Sequence, residues 1–235
     1  MKLTLNVSLA GKTAVITGAG GVICGCMAKV LAEAGANVAV LDINETAAKK
    51  VAEEITAAGG TALAVGCDVL SAESLKEAHE LVARTYGPCR ILVNGAGGNN
   101  PRATTAGEFF DSSQLGREKT FFDIDKESWK FVFDLNFTGT FLTTQEFARD
   151  MLGGEACSII NIASVNTFLP LTKIPAYAAA KEAVGNFTKW LATYFAGTGI
   201  RVNAIAPGFL STHQTQALFY EADGVTPTPR LKKII

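Results

Sequence analysis

Six short, apolar, largely β-branched runs recur along the chain, at 12–18, 37–43, 61–69, 90–95, 158–164 and 200–207. Between most of them the apolar residues return every three to four positions, as in Val22/Ile23, Cys26/Met27 and Val30/Leu31 before Gly35. Runs without polar alternation are buried on both faces, and the helical stretches between them are the crossovers that parallel strands require. Local signals mark these helices. Asn44 caps one that runs to Gly59-Gly60, and Ser71 caps another that ends at Gly87-Pro88. Asp125 caps a long one reaching about Leu152, and 176–195 forms the last.

This order predicts an α/β fold: a single Rossmann-type, doubly wound parallel sheet with helices on both faces, spanning 1–235 as one domain. The periodicity lapses over 99–124, which reads as a long surface insertion near the substrate site, its phenylalanines Phe109, Phe110, Phe121 and Phe122 packing it against the body. Composition removes several function classes. At 48% hydrophobic the chain is not disordered, and 21 basic against 22 acidic side chains give no field to collect nucleic acid. No apolar run is long enough for a membrane span, and residues 1–6 lack the apolar core of a signal peptide. The five cysteines match no metal spacing and suggest a reducing, cytoplasmic setting, while His79 and His213 stand alone as ordinary polar positions. No metal is expected.

The first strand runs into Thr17-Gly18-Ala19-Gly20-Gly21-Val22-Ile23-Cys24-Gly25 and then a helix. Glycines there let backbone approach a pyrophosphate, whose charge meets the helix N-terminus. Asp42 ends the second strand 24 positions after Gly18, near the usual offset of an acid that accepts ribose hydroxyls. Such a carboxylate repels a 2′-phosphate and favours NAD over NADP; a bland helix-capping role is its rival. Asp68-Val69 would border the adenine, and Asn94-Gly95-Ala96-Gly97 would pass close to a ribose.

Tyr177 and Lys181 lie one helical turn apart, so an ammonium stands beside a phenol and favours its ionised form. Ser164 ends a strand 13 positions earlier, and Asn136 lies 28 before that, mid-helix, where asparagine has no propensity to recommend it. The ordered set of glycine loop, Asp68, Asn94–Gly97, Asn136, Ser164, Tyr177, Lys181 and Arg201-Val202-Asn203-Ala204-Ile205-Ala206-Pro207-Gly208 with Thr212 resembles the short-chain dehydrogenase/reductase family over nearly the whole chain. The resemblance implies hydride transfer between nicotinamide and a carbonyl or alcohol carbon. It makes Tyr177 the general acid/base, with Lys181 on the nicotinamide ribose lowering the phenol's pKa. Ser164 would bind the substrate oxygen and Asn136 would order a relay water. Gly18, Gly20, Gly21, Val22, Ile23, Asp42, Asp68, Val69, Asn94, Ala96, Gly97, Pro207, Gly208 and Thr212 would line the cofactor. Val22 and Cys24 stand where the family usually has glycine, which predicts altered affinity. The family's last strand is expected to be missing, and 209–235 would form a lid segment. Relatives pair through their long helices, so a homodimer or homotetramer is implied.

Gly97-Gly98-Asn99-Asn100-Pro101, the insertion and Thr172-Lys173-Ile174-Pro175-Ala176-Tyr177 are similar to the sugar-acid branch of that family, which includes D-mannonate oxidoreductases. Asn99, Asn100, Arg102, Asn166 and Lys173 are the candidate substrate contacts, arginine for a forked grip on a carboxylate and lysine as a point charge. Reduction of another small ketone or ketoacyl group, or a non-catalytic nicotinamide-binding role, stay open at this level.

Overall fold

The computed structural model describes residues 7–210, 212 and 216–234; the readings made for residues 1–6 and for His213 lie outside them. In chain order the main elements are β1 (Thr13–Thr17), α1 (Val22–Glu33), β2 (Asn37–Asp42), α2 (Glu45–Ala57), β3 (Thr61–Gly66), α3 (Ala72–Tyr86), β4 (Cys89–Asn94), α4 (Lys126–Phe133), α5 (Gly139–Phe147), β5 (Cys157–Ile162), α6 (Pro175–Tyr194), β6 (Ile200–Ile205), α7 (Gln216–Phe219) and α8 (Pro229–Ile234). The strands form one parallel sheet in the order β3-β2-β1-β4-β5-β6. The chain winds outward from β1 to β3 and returns to place β4 on the other side of β1. A crevice opens at the C-terminal ends of the strands at that reversal.

Both faces of the sheet are covered. Val15 of β1 packs with Leu75 and Val82 of α3, Phe147 and Leu191 on one side. Its neighbours Ala14 and Ile16 pack with Ala28, Val51 and Ile55 of α1 and α2 on the other. All five residues of β1 are buried, which is why the strand carries no polar alternation. Among the described residues, no helix is long and apolar enough to cross a membrane.

Three expectations change. The third strand stops at Gly66 rather than 69: Asp68 Oδ1 accepts the Leu70 N–H and Ser74 Oγ accepts the Asp68 N–H, which lifts the chain off the ladder. The long helix of 125–152 is divided by a π turn, Asp134–Thr138, and closes in a 3-10 turn, Ala148–Met151. Asn136 causes the first break. Its Nδ2 donates to the Val132 carbonyl at 2.8 Å, the acceptor that its own N–H would use in an α-helix. The insertion holds three 3-10 turns, Pro101–Ala103, Ser112–Gln114 and Phe121–Asp123, and its four phenylalanines are exposed rather than packed on the body. Polar ties hold it instead: Thr105 N–H to the Lys173 carbonyl at 2.9 Å, Arg102 to Asp125, and Lys233 of α8 to Glu108. Among the described residues, the ring pairs of this segment are Phe110 with Phe122 and Phe121 with Phe122, edge to face.

His79 is also more than an ordinary polar position. From α3 its Nδ1 lies 2.7 Å from Glu146 of α5 and its Nε2 lies 3.1 Å from Asp150, whose Oδ2 also accepts the Cys89 N–H that opens β4. Burial opposes a charge on the ring, but the two carboxylates outweigh it and hold His79 above the ordinary histidine value. A folded value raised above the unfolded one stabilises below the unfolded pKa and loses that contribution as pH rises through the folded value. Thermal midpoints measured from pH 6 to 9 are therefore expected to show His79→Gln well below the parent at pH 6, with the gap closing towards pH 9. A gap independent of pH would remove the charge from the account.

Candidate active site

The loop after β1 and the turn after β4 build one wall of the crevice from backbone alone. Gly18 has φ +65°, and a Cβ on it would lie 2.8–2.9 Å from the Gly95 carbonyl and the Ala96 backbone. The Thr17 hydroxyl accepts both the Gly95 and the Ala96 N–H groups, at 3.1 and 3.2 Å, and locks the two turns together. Sequence reasoning passed over Thr17, whose only signal is its place directly before Gly18. Helix α1 follows Gly21 at its N-cap, with no side-chain cap and no acidic residue in its first turn. Its leading N–H groups, those of Val22 and Ile23 among them, are left for an anion. The cradle fits a pyrophosphate.

Asp42, at the end of β2, faces this loop. Its Oδ2 accepts the Gly20 N–H at 3.0 Å and its Oδ1 accepts the Asn44 N–H at 2.9 Å. Asp42 thus steadies the loop and the residue that opens α2, and each of its oxygens keeps a further lone pair. Asn44, not Asp42, caps α2, accepting from Ala47 N–H. Asp68 is half-buried and Val69 buried. Cys24 is accommodated by its partner. A Cβ on Gly95 would overlap Cys24 Sγ, so the thiol fills space that a side chain at 95 would need. Burial, its largest influence, pushes the thiol up to about 11 and keeps it neutral.

The second wall carries the chemistry. Lys181 of α6 is 4% exposed, and its Nζ donates to the Ile162 carbonyl at the end of β5 at 2.8 Å. A Cβ on Gly97 would lie 3.3 Å from that nitrogen and 2.5 Å from Asn136 Oδ1, so the Gly97 backbone lies directly against both side chains. Asn136 is fully buried; its Nδ2 donates to the carbonyls of Gly98 and Val132, and its Oδ1 accepts the Gly98 N–H. Lys181 Nζ stands 5.6 Å from the Tyr177 ring centre, and the Ser164 side chain favours ionisation of the Tyr177 phenol. The ionisation differs from the sequence expectation. Burial pushes the Tyr177 phenol up, with the Ser164 bond opposing it, and burial pushes Lys181 down to about 8. Lys181 thus gives up its proton more readily than a free lysine, while on the phenol burial outweighs the opposing influence of Ser164.

The five candidate substrate contacts separate. Asn166 is buried against Ser164, with Nδ2 3.1 Å from its Oγ. Asn99 and Asn100 are used within the loop, on Thr104 Oγ1 and the Arg102 N–H, and Arg102 is turned to Asp125 at 3.2 Å. Lys173 lies in the segment before α6 with φ +73°, a left-handed conformation uncommon for a residue with a side chain. Pro207 follows β6, its carbonyl accepting the Val165 N–H at 3.0 Å, with Gly208 exposed beside it and Thr212 half-buried. The Cys24–Gly95 fit generates a measurable coupling: Gly95→Ala should destabilise the parent more than it destabilises Cys24→Gly, by on the order of 1 kcal/mol in a double-mutant cycle read by denaturant unfolding. Strict additivity would refute the fit.

The comparisons agree with this construction. A family model described as short chain dehydrogenase matches residues 12–223. An uncharacterised oxidoreductase of Haemophilus influenzae is 52% identical over 235 residues, covering 100% of this chain and 82% of the relative. An uncharacterised oxidoreductase of Bacillus subtilis, UxuB, is 48% identical over 233 residues, covering 99% and 83%. Among solved structures, a Haemophilus protein provisionally named a D-mannonate oxidoreductase, with NAD bound, superposes with a TM-score of 0.93 at 53% identity, covering 97% of this chain and 81% of that one. With the glycine cradle and the Ser164–Tyr177–Lys181 cluster facing one crevice, the chain belongs to the short-chain dehydrogenase family and is an oxidoreductase.

Proposed function

We propose that this chain is an NAD-dependent oxidoreductase that interconverts a secondary alcohol and a ketone on a sugar acid of the D-mannonate/D-fructuronate kind. The observation that carries the reading is the Lys181 ammonium standing 5.6 Å from the Tyr177 ring centre while it lies, with Asn136, directly against the Gly97 backbone, across the crevice from the glycine cradle. Bound NAD supplies the acceptor for a hydride from the alcohol carbon. The protein supplies the rest. Gly18, Gly20, Gly21, Val22 and Ile23 present backbone to the pyrophosphate, and Asp42 accepts from the adenosine ribose. Asp68 and Val69 border the adenine, and Asn94, Ala96 and Gly97 line the path to the second ribose. Lys181 holds that ribose, and Pro207, Gly208 and Thr212 close over the nicotinamide.

Ser164 donates to the substrate oxygen, and Tyr177 takes the hydroxyl proton in oxidation and returns it in reduction. Asn136 holds Gly98 beneath this cluster, with one Oδ1 lone pair left for a relay water. Lys173 supplies the point charge for the carboxylate; its strained backbone is fixed where Thr105 N–H grips its carbonyl, as strain at a ligand-clamping residue would be. Asn99 and Asn100 offer polar groups beside it, and the described part of 209–235, which carries α7 and α8, serves as a lid segment within the one domain formed by the chain. The sugar-acid choice also draws on the D-mannonate oxidoreductase name of the Haemophilus structure.

We also assign a homodimer, or a tetramer built from it, to the aromatic face on α5 and α6. There Trp190 and Tyr194 stack at 4.8 Å and both are more than half exposed. Free thiols at all five cysteines fit a cytoplasmic enzyme.

NADH oxidation against a panel of keto sugar acids and simple ketones tests the reading. Turnover with a fructuronate-like acid and not with simple ketones is expected, and a panel silent in the presence of bound NADH would overturn catalysis. Tyr177→Phe should lower kcat by roughly 10²–10⁴-fold with NADH binding intact, since it removes the general acid/base. For Asp42→Ala the ratio of NAD to NADP affinity should fall, and because the loop loses its tether, affinity for NAD itself should weaken too. An unchanged ratio would defeat the ribose assignment.

A further inference from the structure

We propose that Asn166 is a positioning residue that sets the Ser164 hydroxyl as a donor towards Tyr177 and the substrate oxygen. The inference rests on the reading of Ser164 and Tyr177 given above and replaces the expectation that Asn166 touches substrate. Three contacts carry it. The Asn166 backbone N–H reaches Ser164 Oγ at 3.2 Å and its side-chain Nδ2 reaches the same oxygen at 3.1 Å. Its Oδ1 accepts the Leu171 N–H at 3.2 Å, which fixes the amide so that the nitrogen, not the oxygen, faces Ser164. The side chain is 6% exposed, as is that of Ser164, so water does not compete freely for these groups.

A serine hydroxyl has two acceptor lone pairs and one proton. With its lone pairs facing two N–H donors from Asn166, and the Thr167 N–H of the capping box turned to the same side chain, the proton has to point elsewhere, and the phenol whose ionisation Ser164 favours is that of Tyr177. A hydroxyl that accepts two hydrogen bonds is polarised and becomes a stronger donor. It therefore stabilises negative charge on whichever oxygen it meets, the phenolate of Tyr177 or the substrate oxygen as it gains charge in reduction. The Leu171 bond adds a mechanical element, tying the amide to the segment that leads through Lys173 into α6. The charged and titratable groups near the phenol are Lys181, on its own helix, and beyond it Cys24 of α1, and neither touches Asn166 in the hydrogen bonds of this site.

Two variants separate this role from its rivals. Asn166→Asp keeps the acceptor for Leu171 and loses the donor; Asn166→Ala loses both and adds no charge. Ultraviolet difference titration against Tyr177→Phe reads the phenol's ionisation without any substrate. In both variants it is expected to move upward, by about one pH unit in Asn166→Asp, since a hydrogen bond to a charged group is being weakened. The acid limb of the kcat profile for alcohol oxidation should follow, with kcat down roughly tenfold at neutral pH, KM changed little and NADH affinity unchanged. A raised KM with kcat and phenol ionisation unmoved would show Asn166 to be a substrate contact and overturn the proposal. An ionisation that moves in Asn166→Asp alone would overturn it as well, by reducing the effect to the new charge. A lower thermal midpoint with normal ionisation would reduce Asn166 to a structural role. If instead Tyr177→Phe keeps full turnover, the reading of the site itself fails, independently of the result at 166.

Discussion

Two backbone turns, one after β1 and one after β4, approach so closely that a single Cβ on Gly18 would strike the Gly95 carbonyl and the Ala96 backbone. The rest of the crevice depends on this approach. It is possible because two N–H groups of the β4 turn find one acceptor, the Thr17 hydroxyl, so no buried donor is stranded. With the turns so fixed, Asp42 steadies the loop from β2 and Cys24 occupies the room left by a glycine at 95. The side chain at 24, where the family usually has glycine, is thus accommodated by the glycine at 95.

The chemical wall is held by a different device, a polar seam running through the core beneath it. Asn94 of β4 donates to Asn161 of β5 and to Thr144 of α5, each at 2.8 Å. Asn161 donates on to Thr188 of α6 at 2.9 Å, and the hydroxyls of Thr144 and Thr140 step back along the helix to the Asn136 carbonyl. In a low-dielectric interior such a network favours one arrangement, because separating its members would strand more polar groups than the Asn94 Oδ1 that has no partner among the described residues. The seam joins β4, β5, α5, α6 and the π turn, the elements that carry Asn136, Ser164, Tyr177 and Lys181. Those four residues span 136 to 181 in sequence and meet because the seam gives their elements a single relative placement.

Surface and interior divide differently around the insertion. Its turns are capped by Asn100, Asp111 and Thr120 and its contacts to the body are polar, so its phenylalanines are left outside. The prior that large apolar side chains pack inward fails here because backbone hydrogen bonds and ion pairs already hold the segment. His79 shows the reverse case. A lone histidine in sequence is joined to Glu146 and Asp150 only when α3 and the end of α5 are brought side by side.

The sequence by itself determined the parallel sheet, the crossover helices, the caps at Asn44 and Ser71 and the order of the motif residues. Each of these is a matter of local chemistry: apolar runs buried on two faces, 3.6-residue periodicity, a side-chain oxygen three residues before an unpaired N–H. The tertiary structure alone decided the π turn at Asn136, the turning of Arg102 to Asp125, the exposure of the insertion's rings, the upward push on the Tyr177 phenol and the seating of Asn166 on Ser164. These depend on which distant group supplies a hydrogen bond or a charge and on how much water the fold removes, and spacing along a chain encodes neither.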